Sequence, residues 1–388
     1  MNKNSIAPDD FRSGYFNMPI YFQTWEHGFI APPFFSGGNE EKIITAKTLK
    51  AFSEALKREK ILFGTNQPIK IFEPGIGDGS STKRFLSAIQ GVHEAGYVVY
   101  GIDPSNTALD TAKNNLTQAF ENVRVQLSQG DAYQAMQDDM LSGIGADVVF
   151  GSHFMYFVKH THNGKPDADS LIDRDIAQFV QNMAAVTNEN GIMLLYHDGQ
   201  HSEIYGPEGI GGIHGDSMTD APERLARIAQ KNGLSVVECG IPARLYFPVL
   251  SDKEIEMICD IDRWKDIPEN SAQAEWAMKF LFALDLFPIS QGGDKDRNSG
   301  GARFLADHNK LQKTVETVRD FLQKTDGNYL TMQAQMQVLV KNQDMVPQIE
   351  TALQHVQEKM PQMILETRAV LKKEAEQYQW GFFKATPT

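Results

Sequence analysis

The sequence has little cysteine and no long apolar run, and each shortage excludes a class of protein. The two cysteines, Cys239 and Cys259, form neither a disulfide framework nor a metal-ligand spacing, so we expect buried thiols in a reducing compartment. No apolar stretch approaches the roughly 20 residues that span a bilayer. The N-terminus carries acidic residues where a signal peptide needs an apolar segment. These absences predict a cytoplasmic protein with no membrane partner.

Clustered basic residues are also missing. The formal net charge is −13 at pH 7, whereas proteins that bind phosphate backbones usually carry a basic surface. No run of Lys and Arg is long enough to form a local basic patch, so a nucleic-acid partner is not expected. At 388 residues, the chain can hold two domains, or one large domain with an appendage.

A strand followed by a glycine-rich turn occupies residues 69–82, with the sequence IKIFEPGIGDGSST. Its apolar start predicts a buried strand, and Gly75, Gly77 and Gly79 then predict a tight turn. Ser80 and the hydroxyl residues after it are typical of a helix N-terminus. Glycine lets the backbone approach a ligand closely, and open α/β sheets bind ligands at the carboxyl ends of their strands. We therefore expect a ligand site here.

Strands alternate with helices at a spacing of about 25 residues, which is typical of βαβ units and a parallel sheet covered by helices on both faces. The predicted fold is therefore α/β, with a doubly wound, Rossmann-like sheet of seven strands. Further predicted strands are 97–103, 123–127, 146–151, 191–196, 234–238 and, as a candidate seventh, 244–250. Predicted helices are 42–58, 82–94, 105–116, 173–186 and 221–231.

The pattern changes after residue 250, where the periodicity becomes helical almost throughout. We predict a ligand-binding domain over 46–250 and an all-helical region over 251–388, which serves either as a cap over the ligand cleft or as a packing surface for a homodimer. Residues 1–45 form an aromatic segment that prolines prevent from being one long helix. It either packs on the domain as a belt or closes as a lid over a small molecule. The predicted C-terminal helices are 253–264, 272–286, 302–324, 332–341 and 346–379.

The glycine turn lacks the features of two common nucleotide sites. A phosphate loop needs Gly-Lys followed by Ser or Thr, which is absent. A dinucleotide fingerprint needs a third glycine where Ser80 stands. Instead, the pattern E-x-G-x-G-x-G extends from Glu73 to Gly79. This pattern resembles motif I of the class I S-adenosylmethionine-dependent methyltransferases.

Later segments extend that resemblance over roughly residues 65–250. Asp103 ends the second strand, where the family places the carboxylate that holds the ribose hydroxyls, and Asp131 follows the third strand, where the family's aspartate lies beside the adenine amino group. The runs DVVFGSH at 147–153 and NGIMLL at 190–195 match the family's fourth and fifth strands. The resemblance implies S-adenosylmethionine as cofactor. The implied cofactor contacts are Glu73, Gly75, Gly77, Gly79, Asp103, Asp131, Ala132 and Ser152.

The chemistry of these residue types agrees with a cationic cofactor. One carboxylate can accept hydrogen bonds from two ribose hydroxyls, which suits Asp103. Glu73 beside the turn suits a sulfonium cofactor and works against a pyrophosphate. The structural alternative for Asp103 and Asp131 is helix capping at a strand–helix turn.

The segment after the fourth strand, GSHFMYFV, resembles the corresponding segment of histamine N-methyltransferase and, more weakly, that of plant salicylate-type carboxyl methyltransferases. The resemblance implies that His153 and Tyr156 border the cofactor and the acceptor, so they are the candidate catalytic residues. His153 can instead be a core histidine. Methyl transfer depends on alignment and exclusion of water, and it needs a general base only when the acceptor is protonated.

The acceptor pocket is predicted from aromatic and histidine residues near the same edge of the sheet. Metal binding by the histidines is not expected, because the glycines around His201 favour a loop over a helix. His160 and His162 are expected to be exposed to solvent. An aromatic lid with a helical cap predicts an enclosed small molecule as acceptor. The candidate substrate-binding residues are Tyr21, Trp25, His153, His197 and His201.

These observations predict an S-adenosylmethionine-dependent methyltransferase that moves a methyl group to an N or O atom of a small molecule. One alternative is an NAD(P)-dependent oxidoreductase, which would need a glycine at Ser80. Another is a non-catalytic cofactor-binding or assembly protein built around the C-terminal helices. Such a protein would bind the cofactor without turnover.

Overall fold

A computed structural model describes most of the sheet domain and the C-terminal helix. The described residues are 40–62, 66–134, 143–152, 155, 158, 162, 166–198, 220–246, 251–259 and 329–377. The strands are β1 Ile69–Pro74, β2 Tyr97–Asp103, β3 Val123–Gln129, β4 Ala146–Ser152, β5 Thr187–Asp198, β6 Ser235–Tyr246 and β7 Tyr329–Val340. The helices are α1 Glu40–Arg58, α2 Ser80–Ile89, α3 Asn106–Ala119, α4 Ala168–Val186, α5 Ala221–Lys231, α6 Asp252–Cys259 and α7 Val346–Gln377, with a short 3-10 turn at Gln343–Met345.

The strands form one seven-stranded sheet in the order β3-β2-β1-β4-β5-β7-β6. Neighbours from β3 to β5 are parallel, whereas β7 runs antiparallel to both β5 and β6. The predicted α/β, doubly wound sheet of seven strands is thereby confirmed. The strand order reverses between β1 and β4, and ligands of open α/β sheets bind at the carboxyl ends of strands at such a reversal.

Helices cover both faces of the sheet, because the central strands are apolar on both sides. Ile69 and Ile71 of β1 pack with α1, α2, α3 and α7 on one face. Phe72 packs with α4 and α5 on the other. Helix α1 carries Glu40 in its first turn and Arg58 in its last turn, which complements the helix dipole.

The seventh strand differs from the sequence-based prediction. Of the predicted helix 332–341, residues 332–340 lie within β7, and Arg244 belongs to β6 instead of beginning a seventh strand. The segment contains Gln, Met and Ala, which favour helices. In the sheet, Met336 and Val338 face one core and Leu339 faces the other, so period-two burial between β5 and β6 outweighs that propensity. The expectation of an all-helical region from residue 251 is therefore wrong at β7.

The C-terminal helix α7 is confirmed, and it packs on α1. Arg368 of α7 holds the fully buried Glu40 with two nitrogens, at 2.9 Å from Nη2 and 3.0 Å from Nε to Oε1. The predicted helices 272–286 and 302–324 lie outside the described residues, so a cap or a homodimer surface stays a prediction. None of the helices in the described part of the chain is long and apolar enough to cross a membrane.

Gly79, which precedes α2, lies close to the backbone of α3. Its φ is +79°, and a Cβ placed on it would lie 3.1 Å from the Ala112 Cα. Gly91 has a similar φ of +82° with nothing within 4 Å of such a Cβ. We expect Gly91→Ala to lower the free energy of unfolding by about 1–2 kcal/mol through backbone strain alone. Gly79→Ala should cost about 1 kcal/mol more, because it also overpacks.

Denaturant titration of the two variants checks this expectation. An equal loss of unfolding free energy in both would contradict the close approach of α2 to α3. Because the two positions share a similar positive φ, Gly91→Ala is the matched control for strain.

Candidate functional site

The turn after β1 is tied to the end of β2. Gly75, Gly77 and Gly79 have φ values of 64°, 58° and 79°, which residues other than glycine rarely adopt. The Ile76 amide donates to the Ile102 carbonyl at 3.0 Å, and the Gly79 amide donates to the Ile76 carbonyl at 3.0 Å. The turn therefore presents a bare, ordered backbone at the carboxyl edge of the sheet.

Asp103 lies buried at the end of β2 and braces this turn. Its Oδ2 accepts from the Gly77 amide at 3.0 Å, and its Oδ1 accepts from the Ser105 amide at 2.8 Å. Burial raises the pKa of the Asp103 carboxyl, and the two amides lower it. The N-cap of α3 is Ser105, whose Oγ accepts from the Ala108 amide. Asp103 is thus not the helix cap, and each of its oxygens keeps a second acceptor position.

Glu73 is the penultimate residue of β1, beside the turn, and is only 2% exposed. Its Oε2 has no hydrogen-bond partner among the described residues. Burial raises the pKa of the Glu73 carboxyl well above its usual range; Arg84 lowers it, and Asp78 and Asp103 raise it further. Thr82, in the first turn of α2, also carries a buried Oγ1 without a partner in the described part of the chain. Buried polar atoms without partners are rare and indicate a missing ligand, water or ion.

Asp78 in the turn, which the sequence offers as a further candidate contact, adds a third carboxyl group. It is 6% exposed, and its two oxygens accept from the amide and the hydroxyl of Ser80 at 3.0 and 2.8 Å. Glu73, Asp78 and Asp103 therefore surround the glycine turn with three buried carboxyl groups.

The loop after β3 carries Asp131 and Ala132, and α4 holds it in place. Asp131 Oδ1 accepts from the Tyr133 amide at 2.9 Å. The buried Asn182 donates to the carbonyls of Ala132 and Gln134 at 2.9 and 2.8 Å. Asn182 was not identified from the sequence. Asparagine disfavours helix formation, so an asparagine within a predicted helix can indicate that its side chain has a specific hydrogen-bonding role.

Tyr133 is a second residue that the sequence did not identify. Its hydroxyl lies 3.5 Å from the Met155 sulfur, and its ring lies 5.5 Å from that of Phe179 in α4. Burial, with help from Asp131 and Asp175, raises the pKa of Tyr133 well above its usual range. This side chain joins the loop after β3 to the segment that follows β4.

Ser152 ends β4 directly opposite Tyr196 of β5. Thr45 of α1 lies 2.7 Å from the Tyr196 hydroxyl and 3.0 Å from Glu41 Oε1. The start of α1 is thus joined to the end of β5. The eight residues predicted to contact the cofactor follow or end β1, β2, β3 and β4 at one edge of the sheet, although their contacts with a ligand stay predictions.

The predicted acceptor residues are only partly described. His197 lies in β5 and is 3% exposed. His162, which was expected to be exposed, is instead 4% exposed, with its Nε2 at 2.6 Å from Asp175 Oδ2; that expectation is wrong. Cys239 is buried, as expected. Within the described residues, no group of three His, Cys, Asp or Glu side chains is placed to hold a metal. Tyr21, Trp25, His153, Tyr156, His160 and His201 lie outside the described residues.

No protein-family model matches the sequence, and no curated protein matches it. Solved structures of similar fold include a candidate sarcosine dimethylglycine methyltransferase from Galdieria sulphuraria, with 13% identity and a TM-score of 0.38 over 84% of this chain and 98% of that one. A loganic acid methyltransferase with SAH has 11% identity and a TM-score of 0.44, over 82% of this chain and 97% of that one. The cyclase SpnF has 11% identity and a TM-score of 0.35, over 75% of this chain and 81% of that one. Similarities this low assign neither a family nor an activity to the chain.

Proposed function

We propose that this protein is an S-adenosylmethionine-dependent methyltransferase that transfers a methyl group to an N or O atom of an enclosed small molecule. The observation that carries the proposal is the cluster of acidic side chains around the glycine turn. Glu73, Asp78 and Asp103 are all buried there. The unpartnered Oε2 of Glu73 suits a ligand that brings a positive charge or a hydrogen-bond donor.

The same acidic groups argue against a dinucleotide. Pyrophosphate binds at a helix N-terminus because the free amides and the helix dipole attract an anion. At the start of α2, the Ser80 amide is already bonded to Asp78, and the carboxylates of Asp78 and Asp103 would repel a phosphate. A cofactor that combines a neutral adenosine with a cationic sulfonium suits this charge pattern better.

The chain's own residues have separate roles in the proposal. Asp103 accepts from the ribose hydroxyls while the Gly77 and Ser105 amides keep its carboxylate oriented. Asp131 accepts from the adenine amino group, on a loop that Asn182 fixes. Glu73 balances positive charge beside the bare backbone of the turn. When bound, the cofactor supplies an electrophilic methyl group that the acceptor displaces.

The acceptor side of the proposal rests on the candidate residues from the sequence, of which His197 lies near the end of β5. His153 and Tyr156 border the acceptor and orient it or take its proton. Tyr21, Trp25, His197 and His201 enclose it. An enclosed site would suit a small molecule with an apolar part, since exclusion of water favours methyl transfer over side reactions.

Calorimetric titration with S-adenosylmethionine and, in parallel, with NAD tests the function. We expect heat of binding with the first ligand and none with the second. Absence of heat with S-adenosylmethionine would refute the proposal, and heat with NAD alone would favour the oxidoreductase. Formation of S-adenosylhomocysteine with a panel of small amines, phenols and carboxylic acids then separates turnover from binding.

A further inference from the structure

Glu73 occupies a position that is costly for an ionised carboxylate. Glu73 lies two and four residues after Ile71 and Ile69, and such residues of a strand share one face of the sheet. Because both isoleucines pack in the core beneath α2, the Glu73 side chain also lies on the α2 face. Its Oε2 is buried and finds no partner in the described part of the chain. An isolated charge in such surroundings usually becomes neutral instead of staying ionised.

The charged groups that face Glu73 do not offset this cost. Among the described residues, Arg84 on α2 is the one basic group that faces it, and its Nη2 donates to the Ser81 hydroxyl at 3.1 Å. Asp78 in the turn and Asp103 at the end of β2 are both acidic. Burial is the largest influence and raises the pKa of Glu73, the two carboxylates raise it further, and Arg84 lowers it.

We propose that Glu73 is protonated in the empty site and releases its proton to solvent when the cationic cofactor binds. This inference rests on the proposed function. The carboxyl O–H bond breaks, the proton goes to the buffer, and the positive charge of the ligand takes the proton's place beside the carboxylate. Binding and ionisation are therefore linked.

The direction of the pH dependence follows from the raised pKa. Without ligand, the folded protein holds this proton more tightly than the unfolded chain, whose Glu has the ordinary value of 4.5. The contribution of Glu73 to stability is therefore full below pH 4.5 and is lost as the pH rises through the raised pKa. Affinity for the cation changes in the opposite direction and increases with pH, by at most about tenfold per pH unit.

The full-length protein is titrated with S-adenosylmethionine by calorimetry in two buffers that differ in their heat of protonation, at about pH 6 and about pH 8. We expect the difference in heat between buffers to correspond to release of up to one proton per site. Glu73→Gln, which keeps the shape of the side chain, should lose that release and most of the pH dependence of the dissociation constant. The residual effect in this variant measures the titration of the cofactor's own amino group.

Asp110→Asn is the matched control, since Asp110 is an exposed acid on α3. It should release the same number of protons as the wild type. Binding of S-adenosylmethionine with equal proton release in the wild type and Glu73→Gln would overturn the inference while leaving the proposed function intact. If Glu73→Gln does not fold, the wild-type measurement decides, because heats that are independent of the buffer would also overturn it. Absence of binding would instead refute the proposed function.

Discussion

Asp103→Ala is expected to weaken the binding of S-adenosylmethionine by about 1–3 kcal/mol, or roughly 5- to 150-fold in the dissociation constant. The variant loses the acceptor for the ribose hydroxyls and leaves the Gly77 and Ser105 amides without their carboxylate partner. The glycine turn would then be held by fewer bonds in the free protein. Calorimetric titration of the wild type and the variant measures the change.

Two further variants separate recognition from general damage. Asp103→Asn keeps one acceptor oxygen, so its affinity should fall between those of the wild type and Asp103→Ala. Asp110→Ala removes an exposed carboxylate from α3 and should bind like the wild type. An unchanged dissociation constant in Asp103→Ala would mean that the end of β2 does not hold the ribose.

Phe85→Ala is expected to lower the free energy of unfolding by about 3–5 kcal/mol, the range for truncating a buried phenylalanine. Phe85 is 1% exposed on the inward side of α2. Its ring stacks on that of Phe150 in β4, with centroids 4.6 Å apart and an interplanar angle of 11°. The truncation removes this stacking and leaves a cavity beneath the helix that begins at the glycine turn.

Urea titration of the variant measures the loss. Phe120→Ala is a suitable control, because Phe120 is only partly buried after α3 and should cost less. Equal losses in the two variants would contradict a central packing role for Phe85. Because α2 carries the end of the turn, we also expect weaker cofactor binding in Phe85→Ala than in the control.

The sheet could be predicted mainly where its strands are buried on both faces. In β2 and β4, continuous apolar runs with β-branched residues mark the strands without reference to any partner. Helix boundaries were less accurate. Helix α2 was expected to reach residue 94 but ends at Ile89, shortly before Gly91 takes a left-handed conformation. Helix α4 begins at Ala168, five residues before the predicted start.

Strand β7 was beyond the reach of local patterns. Its residues alternate between glutamine and apolar side chains, and most of them favour helices in isolation. Gln337 is completely buried there and donates to the Pro222 carbonyl at 2.8 Å. Only the presence of β5 and β6 on either side supplies the backbone partners that make this segment a strand.

The features of the candidate site also divide into those that local sequence patterns determine and those that depend on tertiary packing. The sequence alone determined the acidic residue before the glycine turn and the carboxylates at the ends of β2 and β3, because turn chemistry and strand ends are local properties. Only the tertiary structure decided that Asn182 supports Ala132, 50 residues away, and that Glu73 lies buried with an oxygen lacking a partner among the described residues. Desolvation and long-range hydrogen bonds depend on which distant elements pack together, and no local pattern specifies that packing.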